Sequence, residues 1–320
     1  MPLPPRPTTR QALLEAGATP RMLRTQVAAG RLAVVRRGVL LSADRWPDDP
    51  AQQHVLRARA EVTVHPDAVI SHQSAATIWG LPTTNPGNWW EAPPSITLPP
   101  EHHRSQMRSV THHHRGVLEA GEVQTDDEGY PVTSPARTAV DLALDEELPG
   151  ALVLLDAAAR IIIGSMVTNP RRQHYGAPRL VEEARHLVRR SAAIRRGGSR
   201  LVTAIDAIDA LRESPGESLS AGHMILAGLP RPECQKEIRT PAGRFHPNFY
   251  WRGPAHRNGP GLVGECDGTI KYRDPAAYAA EKRREQVLRD LGYDVVRWQV
   301  SEIMHKPHIV MDRIARALGL

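Results

Sequence analysis

Cysteine is scarce: the 320-residue sequence contains two, Cys234 and Cys266. Two thiols in a chain of this size do not make the disulfide framework of a small secreted protein. No uninterrupted apolar run approaches the roughly 20 residues needed to cross a bilayer. The opening stretch "MPLPPRPTTR" lacks the apolar centre of a secretory signal. These absences point to a cytoplasmic protein with no membrane partner. Lysine is nearly absent too: of 41 basic residues only Lys236, Lys271, Lys282 and Lys306 are lysines. Arginine does not reproduce a compact ammonium group, so Lys271, close to the acid pair Glu265 and Asp267, stands out.

The hydrophobic fraction is 41%, which is globular rather than disordered, and the length suits two or three domains with their own cores. The formal net charge is +6 with a pI of about 9.7. Its distribution is uneven: residues 1–45 carry +6, residues 46–167 carry −9, residues 168–200 carry +7 and residues 201–320 carry +2. The sign suits nucleic acid, and the positive charge is concentrated in the N-terminal and central segments.

From the N-terminus, Thr8 or Thr9 begins a short helix that Gly17 ends, and Thr19-Pro20 begins a second that Gly30 ends. "RLAVVRRGVLL" reads as two short strands turning at Arg36–Gly38. Helix, turn, helix and hairpin compose a winged helix-turn-helix. Residues 51–65 and 68–82 read as helices, with His72 and Ser74 as capping residues rather than a catalytic pair, because no third partner is evident. "VTHHHRG" (110–116) reads as a surface strand or loop: neighbours on a strand point to opposite faces, so three adjacent histidines do not converge on one ion. Residues 118–129 read as an acidic loop, 151–163 as an apolar helix, and 178–194 as a helix carrying Arg185, Arg189 and Arg190. That last segment is either a second phosphate-binding surface or a solvated linker.

"LRTQVAAGRLAVVRRGVLL", "ISHQSAATIWGLP" (70–82) and "YPVTSPARTAVDLAL" (130–144) resemble the AbiEi family of type IV antitoxins over residues 8–160. The resemblance implies a winged helix that binds operator double-stranded DNA, and a separate nucleotidyltransferase-like toxin as partner. With the second helix in the major groove, Arg21, Arg24 and Gln26 would contact bases or phosphates. Arg31, Arg36 and Arg37 would hold the backbone from the wing. The alternative is a solvated arginine face.

Beyond Gly197-Gly198, a helix begins at Ser214-Pro215 with Glu217 in its first turn. Three strand candidates follow: "PECQKEIRT" (232–240), "GRFHPNFYW" (243–251) and "GLVGECDGTIKY" (261–272). A charged helix (274–293) that Asp274 would cap, a strand (293–300) and a closing helix (307–318) complete the order. This order, with "GECDGTIKY" and "EKRREQVLRDLGYDVVRW", resembles the PD-(D/E)xK nuclease superfamily, in the branch similar to very-short-patch-repair endonucleases, over residues 211–320. A Mg²⁺ or Mn²⁺ ion held by carboxylates both neutralises a phosphate and activates water. Glu265 and Asp267, at i and i+2 of a strand, share a face.

The resemblance makes Glu217, Asn248, Glu265 and Asp267 candidate metal ligands, and Glu265, Asp267 and Lys271 candidate catalytic groups. Two departures weaken it. Lys271 lies beyond the usual E-x-K spacing, and Asn248 stands where the superfamily carries a metal-binding Asp. His246 is a conceivable substitute, and Pro247 marks an edge or irregularity. Three readings of the cluster stay open: an active nuclease, a degenerate one kept for binding, and acids with a purely structural role.

The expected architecture is therefore an α+β and α/β multidomain chain. It comprises a winged helix-turn-helix (8–45), a mixed middle domain (46–165), a basic helical linker (166–210) and a PD-(D/E)xK-like α/β domain (211–320). The expected function is a DNA-binding, operon-type regulator with a nuclease-like domain; the alternative is a metal-dependent DNA endonuclease guided by its winged helix.

Overall fold

Local chemistry sets the first turns. The hydroxyl of Thr9 accepts from the Ala12 N–H, and that of Thr19 accepts from Met22, with Pro20 in the first helical turn. Gly17 and Gly30 take left-handed backbone (φ +91° and +67°) where the two helices stop. The computed structural model describes residues 3–83, 87–101, 111–241, 243–253, 259–268 and 275–320. The chain divides into two compact units, Met1–Leu142 and Ala143–Leu320.

The first unit runs β1 (Thr8–Thr9), α1 (Arg10–Glu15), α2 (Pro20–Ala28), β2 (Leu32–Arg36), β3 (Val39–Ser42), α3 (Pro50–Val64), β4 (Val69–Ile70), α4 (His72–Trp79), β5 (Ser95–Leu98), β6 (His112–Arg115), β7 (Val123–Thr125), β8 (Pro131–Thr133) and α5 (Pro135–Ala143). A small antiparallel sheet has the order β1-β3-β2, and a five-stranded mixed sheet the order β6-β5-β4-β8-β7. Leu13, Leu23, Leu32 and Leu40 make the core under α1 and α2. Helix α3 faces two ways: Leu56 and Ala60 pack on Val35, Val39 and Leu41 of the small sheet, while Ala58 and Val62 pack on Ile70 and Ile96 of the larger one.

The second unit runs α6 (Leu148–Met166), α7 (Arg172–Tyr175), α8 (Pro178–Ala193), α9 (Val202–Asp206), α10 (Pro215–Leu226), β9 (Glu233–Cys234), β10 (Ile238–Thr240), β11 (Gly243–Phe245), β12 (Phe249–Arg252), β13 (Gly261–Asp267), α11 (Pro275–Asp290), β14 (Asp294–Gln299), α12 (Val300–His305) and α13 (Pro307–Leu318). Its main sheet has the order β14-β13-β12-β9, with β13 and β14 parallel and joined through α11. Helix α6 is 19 residues long and apolar enough to pass for a membrane span, but 67% of its apolar window is buried in this unit. At its centre, buried Asp156 accepts from Ser218 Oγ (2.7 Å) and the Asp209 N–H (2.8 Å), and faces Arg212 Nε at 2.8 Å. Such a buried pair needs these extra bonds to offset the desolvation of both charges. Helix α10 lies against α6 at Gly222, where a Cβ would collide with the Pro149 backbone.

Several expectations need correcting. "PECQKEIRT" is not one strand: it breaks after Cys234, where Gln235 takes φ +54°. "GRFHPNFYW" breaks between Phe245 and Phe249, because Pro247 cannot donate to a ladder. The stretch 68–82 is a short strand followed by a helix, and the acidic loop 118–129 contains β7. Neither His72 nor Ser74 caps α4. Ser74 Oγ accepts from the Ser95 N–H and bonds His54 Nε2 at 2.8 Å, all buried. The expected cap Asp274 and the candidate Lys271 lie outside the described residues.

Candidate nucleic-acid interface and acid cluster

On the first unit, α2 and the β2–β3 hairpin present arginines. The apolar side of α2 turns Leu23 into the core, which leaves Arg21 and Arg24 exposed and Gln26 half-buried. Arg31, just before β2, and Arg37, in the hairpin turn, are also exposed. Among the described residues, none of these four arginines has an acidic partner, so their charge faces solvent. Arg36 differs from its neighbours. Its side chain turns back to α3 and forms an ion pair with the buried carboxylate of Glu61. A guanidinium held this way braces the hairpin on α3 and has less freedom to reach a phosphate. The sequence offered no sign of this, because Glu61 lies 25 residues away.

On the second unit, a cleft of about 180 Å³ is lined by Arg172, Gln235, His246, Asn248, Glu265 and Arg297, among others. Glu265 and Asp267 lie on β13 with Cys266 between them, and the parallel register sets Glu265 beside Arg297 of β14. Asp267 is 2% exposed. Arg297 grips it with both arms of its guanidinium, Nη2 to Oδ1 at 2.7 Å and Nε to Oδ2 at 2.9 Å. Such fork-to-fork pairs are among the strongest charge-assisted hydrogen bonds. Arg297 also reaches Glu285 of α11 at 3.3 Å.

Asn248 is engaged too: its Oδ1 accepts from the Cys266 N–H at 2.9 Å. Glu217, 4% exposed, closes a reciprocal cap with Ser214. Its Oε1 accepts from Ser214 Oγ at 2.8 Å, while Ser214 Oγ accepts from the Glu217 N–H at 3.3 Å. Glu217 Oε2 accepts from the Glu213 N–H at 3.0 Å, and Gln235 Nε2 lies 3.5 Å away. Burial raises the Glu217 pKa against those bonds. Burial also pushes the neighbouring Cys266 thiol up to about 12, which leaves it unreactive. His246 has its pKa lowered, by burial first and then by Arg172.

Of the residues expected to hold Mg²⁺, Glu265 and Asn248 share the cleft, while Asp267 and Glu217 are held by other groups. Magnesium needs near-octahedral oxygen donors with negative charge. Here one carboxylate is matched by an arginine, one closes a helix cap, and the amide oxygen takes a backbone N–H. Glu265 and Asn248 line the cleft while the other two candidates are engaged by protein groups, so fewer charged donors face it than the resemblance implies. Sequence reasoning missed Arg297, Gln235 and Arg172. Arg297 lay in "DVVRWQV", where alternation marked a strand and nothing marked the partner.

Residues 68–176 match the family model of the AbiEi antitoxin C-terminal domain. That supports an AbiEi-like antitoxin and leaves residues 8–67 and the acid cluster outside the match. Two proteins of Mycobacterium tuberculosis, strains CDC 1551 / Oshkosh and ATCC 25618 / H37Rv, are each 30% identical over 194 residues. The similarity covers 59% of this chain and 62% of each relative, less than two thirds of their length, and both are described only as uncharacterized.

Proposed function

We propose that this chain is a DNA-binding regulator of the antitoxin type. In this reading the N-terminal helices and hairpin form a winged helix that reads operator DNA, and a nucleotidyltransferase-like toxin is the partner. The observation that carries the DNA-binding part is the solvent-facing set Arg21, Arg24, Arg31 and Arg37 on one helix and its adjoining hairpin. The antitoxin part rests on the match over residues 68–176. Arg21, Arg24 and Gln26 serve as groove contacts and Arg31 and Arg37 as phosphate contacts, while Arg36 positions the hairpin from its pair with Glu61.

The second unit, in this reading, is a PD-(D/E)xK-like domain that has lost cleavage and kept a binding role. The bidentate hold of Arg297 on Asp267 favours this: the arginine supplies the positive charge that a cation would otherwise supply. The competing reading is a metal-dependent endonuclease using Glu265, Asp267 and Lys271.

Two measurements separate these readings. DNA from upstream of the chain's own gene is titrated at several salt concentrations against wild type and an Arg31→Ala, Arg37→Ala double variant. Each lost phosphate contact should flatten the slope of log K against log salt by about 0.9. An unchanged slope would put the DNA surface elsewhere. Supercoiled plasmid with Mg²⁺ or Mn²⁺ should stay intact. Nicking by wild type but not by Glu265→Ala would establish the endonuclease instead.

A further inference from the structure

The three histidines of β6 do not converge on one ion, but they do not act alone. Strand β6 is an edge of the five-stranded sheet. His112 and His114 have rings 6.4 Å apart in a T shape, and His114 stacks on His72 at 3.4 Å between centroids. His113 points to the other face, where its ring meets that of His65, edge to face, at 5.5 Å. His65 ends α3, four residues after Glu61, so the two side chains fall on the same side of that helix. One donor atom from each of Glu61, His65 and His113 lies within 4.8 Å of the other two. Nε2 of His113 is shielded from solvent and makes no hydrogen bond among the described residues.

We infer that Glu61, His65 and His113 form a binding site for one divalent transition-metal ion of the zinc class. Imidazoles with a carboxylate are the donor set such ions prefer over magnesium or calcium. Zinc holds N and O ligands at about 2.0–2.2 Å in a tetrahedron, which sets its donors roughly 3.3–3.6 Å apart. The three donors, within 4.8 Å of one another, have to close by up to roughly 1.5 Å to reach that spacing, a distance within reach of side-chain rotation at the two half-buried histidines. Three protein ligands leave a fourth position for water. Arg36 engages one oxygen of Glu61, Oε2, whereas Arg297 takes both oxygens of Asp267; Glu61 is thus oriented by an outer partner and keeps its second oxygen as a donor. This inference does not depend on the proposed function, since none of the three side chains is a proposed DNA contact.

The test uses the full chain and Co²⁺, a visible-spectrum probe for zinc sites, followed by displacement with Zn²⁺. Wild type should take up one Co²⁺ per chain with the intense visible bands of a low-coordinate N/O site, and Zn²⁺ should remove them. His113→Ala and His65→Gln should each weaken binding by more than about 10-fold, the smallest loss seen even for outer-shell partners. His112→Ala, on the opposite face, should leave it unchanged. The chain has 15 histidines, so adventitious binding is the main competitor. Absence of the bands, equal affinity in the His65→Gln variant, or an equal loss in His112→Ala would each overturn the site. If circular dichroism shows that His113→Ala is misfolded, His65→Gln, altered at a half-buried position, decides the matter.

Discussion

His54 makes the first unit sensitive to acid, and the size of the effect follows from its surroundings. Its imidazole is 1% exposed and bonded to Ser74 Oγ, which also takes the Ser95 N–H. Burial, assisted by the nearby Arg57 charge and opposed by bonds to the backbone at Trp90 and Ala92, lowers its pKa from 6.5 to about 4. The unfolded chain therefore takes up a proton below about pH 6.5 that the folded chain refuses until about pH 4. Stability is complete above the upper value and falls as pH drops through that window. At roughly 1.4 kcal/mol per pH unit the full gap corresponds to about 3 kcal/mol, of which about 2 kcal/mol is gone by about pH 5. For a unit of this size that is a fall of roughly 6 °C in unfolding temperature. Calorimetry of wild type and His54→Gln at about pH 7.5 and about pH 5 isolates the effect, because every other titrating group is common to both proteins. His54→Gln should lose less on acidification by about 2 kcal/mol. Equal losses would refute the assignment of a buried neutral ring.

Two further outcomes test the second unit. Arg297→Leu leaves the carboxylate of Asp267, 2% exposed, without its fork. It should cost about 3 kcal/mol in chemical denaturation, since removing the bidentate partner takes away much of what offsets the desolvation of the buried carboxylate. A loss near zero would mean that the pair is solvent-screened. Gly264→Ala places a Cβ 2.8 Å from the Trp251 ring and 3.0 Å from the Trp298 ring. Both rings are buried, so it should destabilise by about 1–3 kcal/mol and perturb tryptophan fluorescence. An unchanged spectrum and stability would show that the rings move aside at no cost.

Much of the element order was legible because the punctuation is local. Thr9, Thr19-Pro20, Ser214-Pro215, Gly17 and Gly30 act within one turn of themselves, and the helices they bound appear where the sequence places them. The strand breaks at Gln235 and Pro247 were harder. Proline announces its missing donor, but nothing in the letter Q announces a positive φ. The acid cluster was legible as a motif and illegible as chemistry. That Glu265 and Asp267 share a strand follows from spacing two. That Arg297 grips Asp267 depends on a register between strands separated by a 16-residue helix. The same limit hid Glu61, His65 and His113. Two of them are neighbours along a helix, but the third arrives from an edge strand far along the chain, and alternation alone reveals only which face it leaves.

Helix α3 has an evolutionary consequence. Because Leu56 and Ala60 complete the core with Val35, Val39 and Leu41 while Ala58 and Val62 complete that of the larger sheet, the first 45 residues are not an interchangeable cassette. A lineage that swapped them for another N-terminal module would inherit a helix with one side cut to fit the old hairpin. This surface is therefore more readily altered by changing exposed letters such as Arg24 and Arg37 in place than by recombining whole modules.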